Sequence, residues 1–227
     1  KTRLSQRFGR RQLDKFPGGV WFCDLSEAES EEDILTSVGT VLGIALSGRH
    51  IATQMARAIQ RRGPVLLILD NFEQIADHAP ATIVRWLAEC PQAAFLVTSR
   101  VLLRITGEVL FPLEPLPQGV AVQLFFDRAA SIVPSCVETE ANRPLVVNIV
   151  ERLDRLALAI ELAAARVRVL NLEQISDRLK ERFKLLRGRR RDHGARQATL
   201  RGAIDWSWDL LSPAEKSGLS QLSVFRG

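Results

Sequence analysis

The chain has 227 residues, of which 46% are hydrophobic and 25% charged, with a formal net charge of +5. That is enough apolar surface for a real core and for more than one domain. No uninterrupted apolar run approaches the ~20 residues of a membrane span and no signal peptide is visible, so no membrane-spanning helix is expected.

Cys23, Cys90 and Cys136 are far apart, with no CxxC and no histidine cluster nearby. They predict reduced thiols in a cytoplasmic setting, without a disulfide framework or a zinc site. His50, His78 and His193 lie in polar stretches and read as surface residues. The first residue is Lys rather than Met, which predicts a piece of something longer.

In chain order, residues 2 to 15 read as a helix, with Leu4 and Phe8 one turn apart, broken by Phe16-Pro17-Gly18-Gly19. Val20-Trp21-Phe22-Cys23 is a strand ending at Asp24. Residues 31 to 43 form an amphipathic helix with Ile34, Leu35, Val38 and Leu42 on one side. A further helix over about 50 to 62 stops at Gly63-Pro64. Val65 to Leu69 is a continuous apolar run, the pattern of a parallel strand covered on both faces, with Asp70 at its end. A helix from about 80 to 90 leads to the strand Ala94-Phe95-Leu96-Val97, and Val109-Leu110-Phe111 reads as a last short strand. Strands alternating with helices predict a parallel α/β sheet.

Pro112, Pro115 and Pro117 mark a boundary, after which the pattern is helical. Val122, Phe125, Phe126 and Ala129 keep helical spacing, as do Leu145, Ile149, Leu153, Leu156 and Ile160. A basic connector holds Arg187, Arg189, Arg190 and Arg191. It includes Gly188 and Gly194 and lacks aromatics, so a solvated linker is preferred over a nucleic-acid reader. Ser212-Pro213-Ala214-Glu215 is a capping box with proline at the first helical position. Trp206 and Trp208, beside Ile204, Leu210 and Leu211, read as packing residues rather than a base-stacking surface.

The chemistry concentrates around Asp70. An acid just past a buried strand can hold the water shell of a magnesium ion, the Walker B arrangement. Lys1-Thr2 at the mouth of a helix is how a phosphate-binding P-loop ends. Thr98-Ser99-Arg100 puts hydroxyls and a guanidinium where a sensor of the terminal phosphate would sit.

In this order, FPGGVWFCDL (16 to 25), LDNFE (69 to 73), LVTSR (96 to 100), ELAAARV (161 to 167) and IDWSWDLLSPAE (204 to 215) resemble the signal-transduction ATPases with numerous domains, the STAND class. The nearest likeness is to its bacterial branch in large transcriptional regulators, related to the NB-ARC and apoptotic ATPases. The resemblance covers nearly the whole chain. It implies a P-loop NTPase core over residues 1–117, a helical lid with the basic connector over 118–196, and the start of a winged helix over 197–227. It implies ATP or ADP with Mg2+ as ligands. Lys1 would meet the outer phosphates, Thr2 and Asp70 the magnesium, and Arg100 the terminal phosphate, with Thr98 beside it. Leu156 and Leu158 would line the adenine. Expected partners are the nucleotide and other domains of the parent, with ATP-driven self-association a further option. DNA contact falls to domains outside these residues, and no membrane is involved.

Three departures from the family pattern bear on this. The glycine turn and the strand that precede the family's P-loop lysine are not in this sequence. The resemblance therefore implies inner strands with unpaired edges, and a fragment poorly stable or unable to bind nucleotide alone. The family's Gly-Leu-Pro-Leu turn is Arg155-Leu156-Ala157-Leu158 here, without the proline. The residue after Asp70 is Asn71 rather than a second acid, which leaves Glu73 as the candidate base. The leading expectation is a slowly hydrolysing ATP switch. The alternative is a nucleotide-free scaffold or a nucleic-acid-binding module, and a P-loop kinase or motor ATPase ranks below both.

Overall fold

The structure is a computed structural model that describes residues 1–46, 48, 50–186, 208 and 211–223. The chain divides into two compact units, Lys1–Leu113 and Glu114–Gly227.

The first unit is built on a parallel sheet in the order β1 (Val20–Asp24), β2 (Val65–Asp70), β3 (Ala93–Val97). Every residue of β2 is buried, as a central parallel strand requires. Its side chains alternate between two faces. Val65, Leu67 and Leu69 enter a core with Ile34, Leu35, Val38 and Leu42 of α2 (Glu31–Leu42) and Met55, Ala56 and Ile59 of α3 (Ile51–Gln60). Ser30 and Asp33 cap the start of α2 reciprocally, and Gly43 closes it in the left-handed conformation. The stretch expected as one helix over 80 to 90 is a π-helical turn, Pro80–Val84, running into α4 (Arg85–Glu89). It carries the fully buried Trp86, whose ring stacks on Phe95 at 5.8 Å.

The opposite face of β2 meets α1 (Thr2–Arg11), which is shorter than the expected 2 to 15. The chain turns through a 3-10 segment at Leu13–Lys15. Leu4 and Phe8 are not the packed face, being 53% and 44% exposed. Ser5 and Gly9 are buried instead. A Cβ on Gly9 would lie 2.6 Å from Ile68 Cδ1 and 3.0 Å from Val20 Cγ1, so small residues are what let this helix approach the sheet.

Val109–Phe111 does not form the expected strand, and its three residues are 91%, 63% and 80% exposed. A strand exists only by pairing. Among the described residues, β3 is hydrogen-bonded to β2 alone, and 109–111 pairs with no strand. Cys23, on β1, is fully buried, and burial pushes its thiol up to about 12. No helix among the described residues is long and apolar enough to cross a membrane.

The second unit packs α5 (Gln118–Ala130), α6 (Arg143–Arg152), α7 (Ala157–Ala164) and α8 (Leu172–Leu186). Val122, Phe125, Phe126, Val146, Ile149, Leu153 and Ile160 form its core. The 145–160 repeat is not one helix. Asp154 and Arg155 both adopt positive φ, 50° and 53°, and break it. Arg155 N–H donates to Val150 O at 3.0 Å and its carbonyl accepts from Leu116 N–H at 3.2 Å, which holds the turn without glycine or proline. Ser212 and Glu215 form the capping box of a last helix, Pro213–Leu222, and Trp208 is 38% exposed. The arginines at 187 and 189–191, Trp206 and most of the block from 197 to 210 lie outside the described residues.

Two outcomes are expected. A Cβ on Gly18 would lie 2.3 Å from Arg62 O and 2.8 Å from Pro64 O, both backbone atoms that cannot swing away. Gly18→Ala should lower stability in urea denaturation by about 1–3 kcal/mol. Arg155→Gly should raise it by about 0.5–1 kcal/mol in the same measurement, because relief of the left-handed strain exceeds the entropy cost of glycine.

Candidate functional site

Parallel pairing brings the carboxyl ends of all three strands to one edge of the sheet, the edge where open α/β sheets hold ligands. Asp24 and Asp70 are register partners there, and Val97 pairs with Leu69 one step earlier.

Asp70 is fully buried. An ionisable group without solvent needs hydrogen-bonding partners. Thr2 Oγ1 donates to Asp70 Oδ2 at 2.6 Å, and Thr98 Oγ1 donates to Oδ1 at 2.5 Å. Thr2 opens α1, so its hydroxyl arrives at a helix N-terminus, the end that favours anions. Thr98 continues β3. Its N–H donates to Leu69 O at 2.9 Å and its carbonyl accepts from Phe72 N–H at 3.0 Å. Its hydroxyl also accepts from Asn71 N–H at 3.2 Å. Thr98 thus ties the end of β3 to the end of β2, and here it positions Asp70.

Two cations flank this pair. Lys1 Nζ donates to the Ser99 carbonyl. Burial pulls its pKa below the ordinary lysine value and nearby Arg100 adds to that, while Glu73 and Asp70 oppose it. Arg100 Nε lies 3.0 Å from Glu73 Oε1, with the arginine side chain 69% exposed and the glutamate 23%. Glu73, the expected base, is therefore engaged with the expected sensor.

The structure thus brings Lys1, Thr2, Asp70, Glu73, Thr98 and Arg100 to one place in the first unit. Leu156 and Leu158 belong to the second unit, at the start of α7. Leu156 precedes its first turn and is partly buried against the helical core, and Leu158 is 51% exposed. Two neighbours of the site carried no role in the sequence reading. Asn71 is left-handed, φ 62°, and its Nδ2 donates to Asp24 Oδ1 at 3.0 Å. That hydrogen bond, with a smaller one from the Ser26 backbone, holds the Asp24 carboxyl below its ordinary value against the effect of burial. The signal in the sequence is that VWFCD and VLLILD both end in Asp, which the register places side by side.

The carboxylate and hydroxyl oxygens at this edge are hard donors, the set that suits Mg2+ held by one carboxylate, a hydroxyl and phosphate oxygens. A lysine and an arginine beside them suit an anionic phosphate chain.

No family model matches the chain. It is 34% identical, over its whole length, to a protein of Mycobacterium tuberculosis named "Putative HTH-type transcriptional regulator", and equally to one of the same name in Mycobacterium bovis. It is 32% identical, again over its whole length, to an uncharacterized protein of Mycobacterium tuberculosis. The chain spans 26% of the length of the two regulators and 58% of the third relative.

Proposed function

We propose that this chain is the ATP-binding, slowly hydrolysing switch module of a larger transcriptional or signalling regulator of the STAND class. The observation that carries the reading is the buried Asp70 carboxylate gripped by Thr2 and Thr98 at the carboxyl edge of a parallel sheet, with Lys1 and Arg100 alongside. The names of two mycobacterial relatives, each similar to this chain over the whole of the chain and about a quarter of their own length, support the regulatory part.

Thr2 and Asp70 would hold a magnesium ion, which would offset the charge of the phosphate oxygens. Lys1 gives up Ser99 O for the outer phosphates. Arg100 exchanges Glu73 for the terminal phosphate, a planar bidentate match that a single carboxylate oxygen does not satisfy. ADP lacks that phosphate, so with ADP the Arg100–Glu73 pair remains. A ligand shifts a conformational equilibrium only by its differential affinity for the two states, and this exchange is where the difference between ATP and ADP arises.

Both expectations concern the full-length protein. Asp70→Asn should abolish magnesium-dependent ATP hydrolysis while some nucleotide binding persists, read by phosphate release and calorimetry. Unchanged turnover would remove Asp70 from the metal site. Arg100→Ala should weaken ATP more than ADP, by about 1–3 kcal/mol where the contact is desolvated. Paired titrations with the two nucleotides decide this, and equal losses for both would take Arg100 out of the mechanism.

A further inference from the structure

Among the described residues, β1 is an edge strand, paired to β2 alone. The hydrogen bonds at its two ends show which backbone groups that pairing leaves over. Gly19 O accepts from Leu66 N–H at 3.0 Å, and Leu25 N–H donates to Asp70 O at 3.0 Å. A parallel ladder engages every second residue of a strand, so Trp21 and Cys23 continue the set that faces β2. The N–H and C=O groups of Val20, Phe22 and Asp24 point away from β2, and none has a partner among the described residues. Edge strands are ordinarily blunted by lysine, proline, a bulge or a covering element. β1 reads VWFCD, without lysine or proline, and its register with β2 runs unbroken from Val20 to Asp24.

The two faces of this edge differ. On the α2 side Cys23 is buried and the Arg62 guanidinium lies 4.5 Å from the Trp21 ring centroid, so that face is filled. On the α1 side Val20 and Phe22 line a cleft of about 260 Å³, together with Ile68 of β2, Gln6 and Arg10 of α1, and Leu13. The side chains of Gln6 and Arg10 have no hydrogen-bond or ionic partner among the described residues. Thr2 meets Asp70 at the carboxyl end of the sheet, and Gly9 meets Val20 at the amino end. Arg10 therefore belongs to the Val20 end of the edge, with Arg62 over Trp21 on the other face, whereas the far end carries Asp24.

We propose that the free edge of β1 takes an extended segment of a partner protein as an added antiparallel strand. Its apolar side chain sits in the α1 cleft opposite Phe22, and its carboxylate lies opposite Val20, beside Arg10. Three features select this occupant. The outward N–H and C=O groups of Val20, Phe22 and Asp24 match an extended backbone, whose residues bond back in antiparallel pairs. Directly opposite residues of such a pair share a face, so the residue across from Phe22 projects toward α1 and into the cleft. The next residue on that face is two positions on, across from Val20, where the Arg10 guanidinium favours an acid. At the other end the Asp24 carboxylate favours a base. In its own chain direction the partner segment therefore reads basic–x–apolar–x–acidic, with β-branched residues suited to the intervening positions. Lys1, Thr2, Asp70 and Arg100 take no part in this surface, which is independent of nucleotide binding.

The test uses the full-length protein and the fluorescein-labelled peptide acetyl-Thr-Lys-Thr-Val-Thr-Glu-Thr-amide. Affinity is read by anisotropy and location by hydrogen exchange. The peptide should bind saturably and slow amide exchange in the segment that holds Val20, Phe22 and Asp24. Methylating the peptide's valine nitrogen removes a donor aimed at β1 and should abolish binding. Methylating the nitrogen of the threonine between valine and glutamate, which points away from β1, should leave most of it. Arg10→Glu should weaken the peptide about two- to fivefold and strengthen a version with lysine in place of the glutamate. Arg7→Glu changes an exposed guanidinium of the same helix outside the cleft and should leave both affinities nearly unchanged. Absence of saturable binding, or protection confined to another segment, would overturn the proposal. So would equal losses from the two methylations, or equal losses from Arg7→Glu and Arg10→Glu.

Discussion

The carboxylate of Asp70 is the constraint on which the upper edge of the first unit depends. Taking such a group fully out of water costs several kcal/mol unless its oxygens are satisfied. Each oxygen here accepts from a threonine hydroxyl on a different segment, Thr2 at the head of α1 and Thr98 after β3. One side chain thereby fixes three chain segments relative to one another. Lys1 and Arg100 are placed by the same arrangement, being immediate neighbours of Thr2 and near neighbours of Thr98. The geometry that could hold a phosphate chain is thus a by-product of satisfying one buried acid.

How much of this is legible in the sequence depends on whether a feature is announced by its own residues or by its neighbours. The β2 run declares itself because a strand covered on both faces must be apolar throughout. The start of α2 does so because Ser30 and Asp33 are cap chemistry at cap spacing. The face of α1 is invisible to a search for apolar periodicity, since it is buried through Ser5 and Gly9, which are small rather than apolar. The Val109–Phe111 stretch has strand-forming residues, but strandness belongs to a pair and not to a segment. At the site, Lys1, Thr2, Asp70 and Arg100 are recognisable by type and order. The link from Asp24 to Asn71 is not, because it depends on the β1–β2 register, which only the folded sheet sets.

The second unit shows a different way in which local sequence rules are overridden. A helix break normally recruits glycine for positive φ or proline for the missing donor. Asp154 and Arg155 supply neither, and the turn persists because Leu153 is fully buried beneath it and Leu116 anchors it from a preceding segment. Tertiary packing sets the backbone here, and the strain falls chiefly on Arg155, since aspartate enters the left-handed region more readily than arginine does.

The three thiols differ in a way that follows from burial alone. Cys23 and Cys90 are buried in the first unit, while Cys136 in the second is partly accessible. Thiolates, not thiols, react with alkylating reagents. Burial raises all three, Cys23 to about 12, and it also blocks access to the two in the first unit. Cys136 should therefore react faster from the native state than Cys23, whose reaction on β1 requires the sheet to open. The native protein thus carries a clock for sub-global unfolding of its first unit, read as the alkylation rate of one strand residue against that of an accessible internal standard.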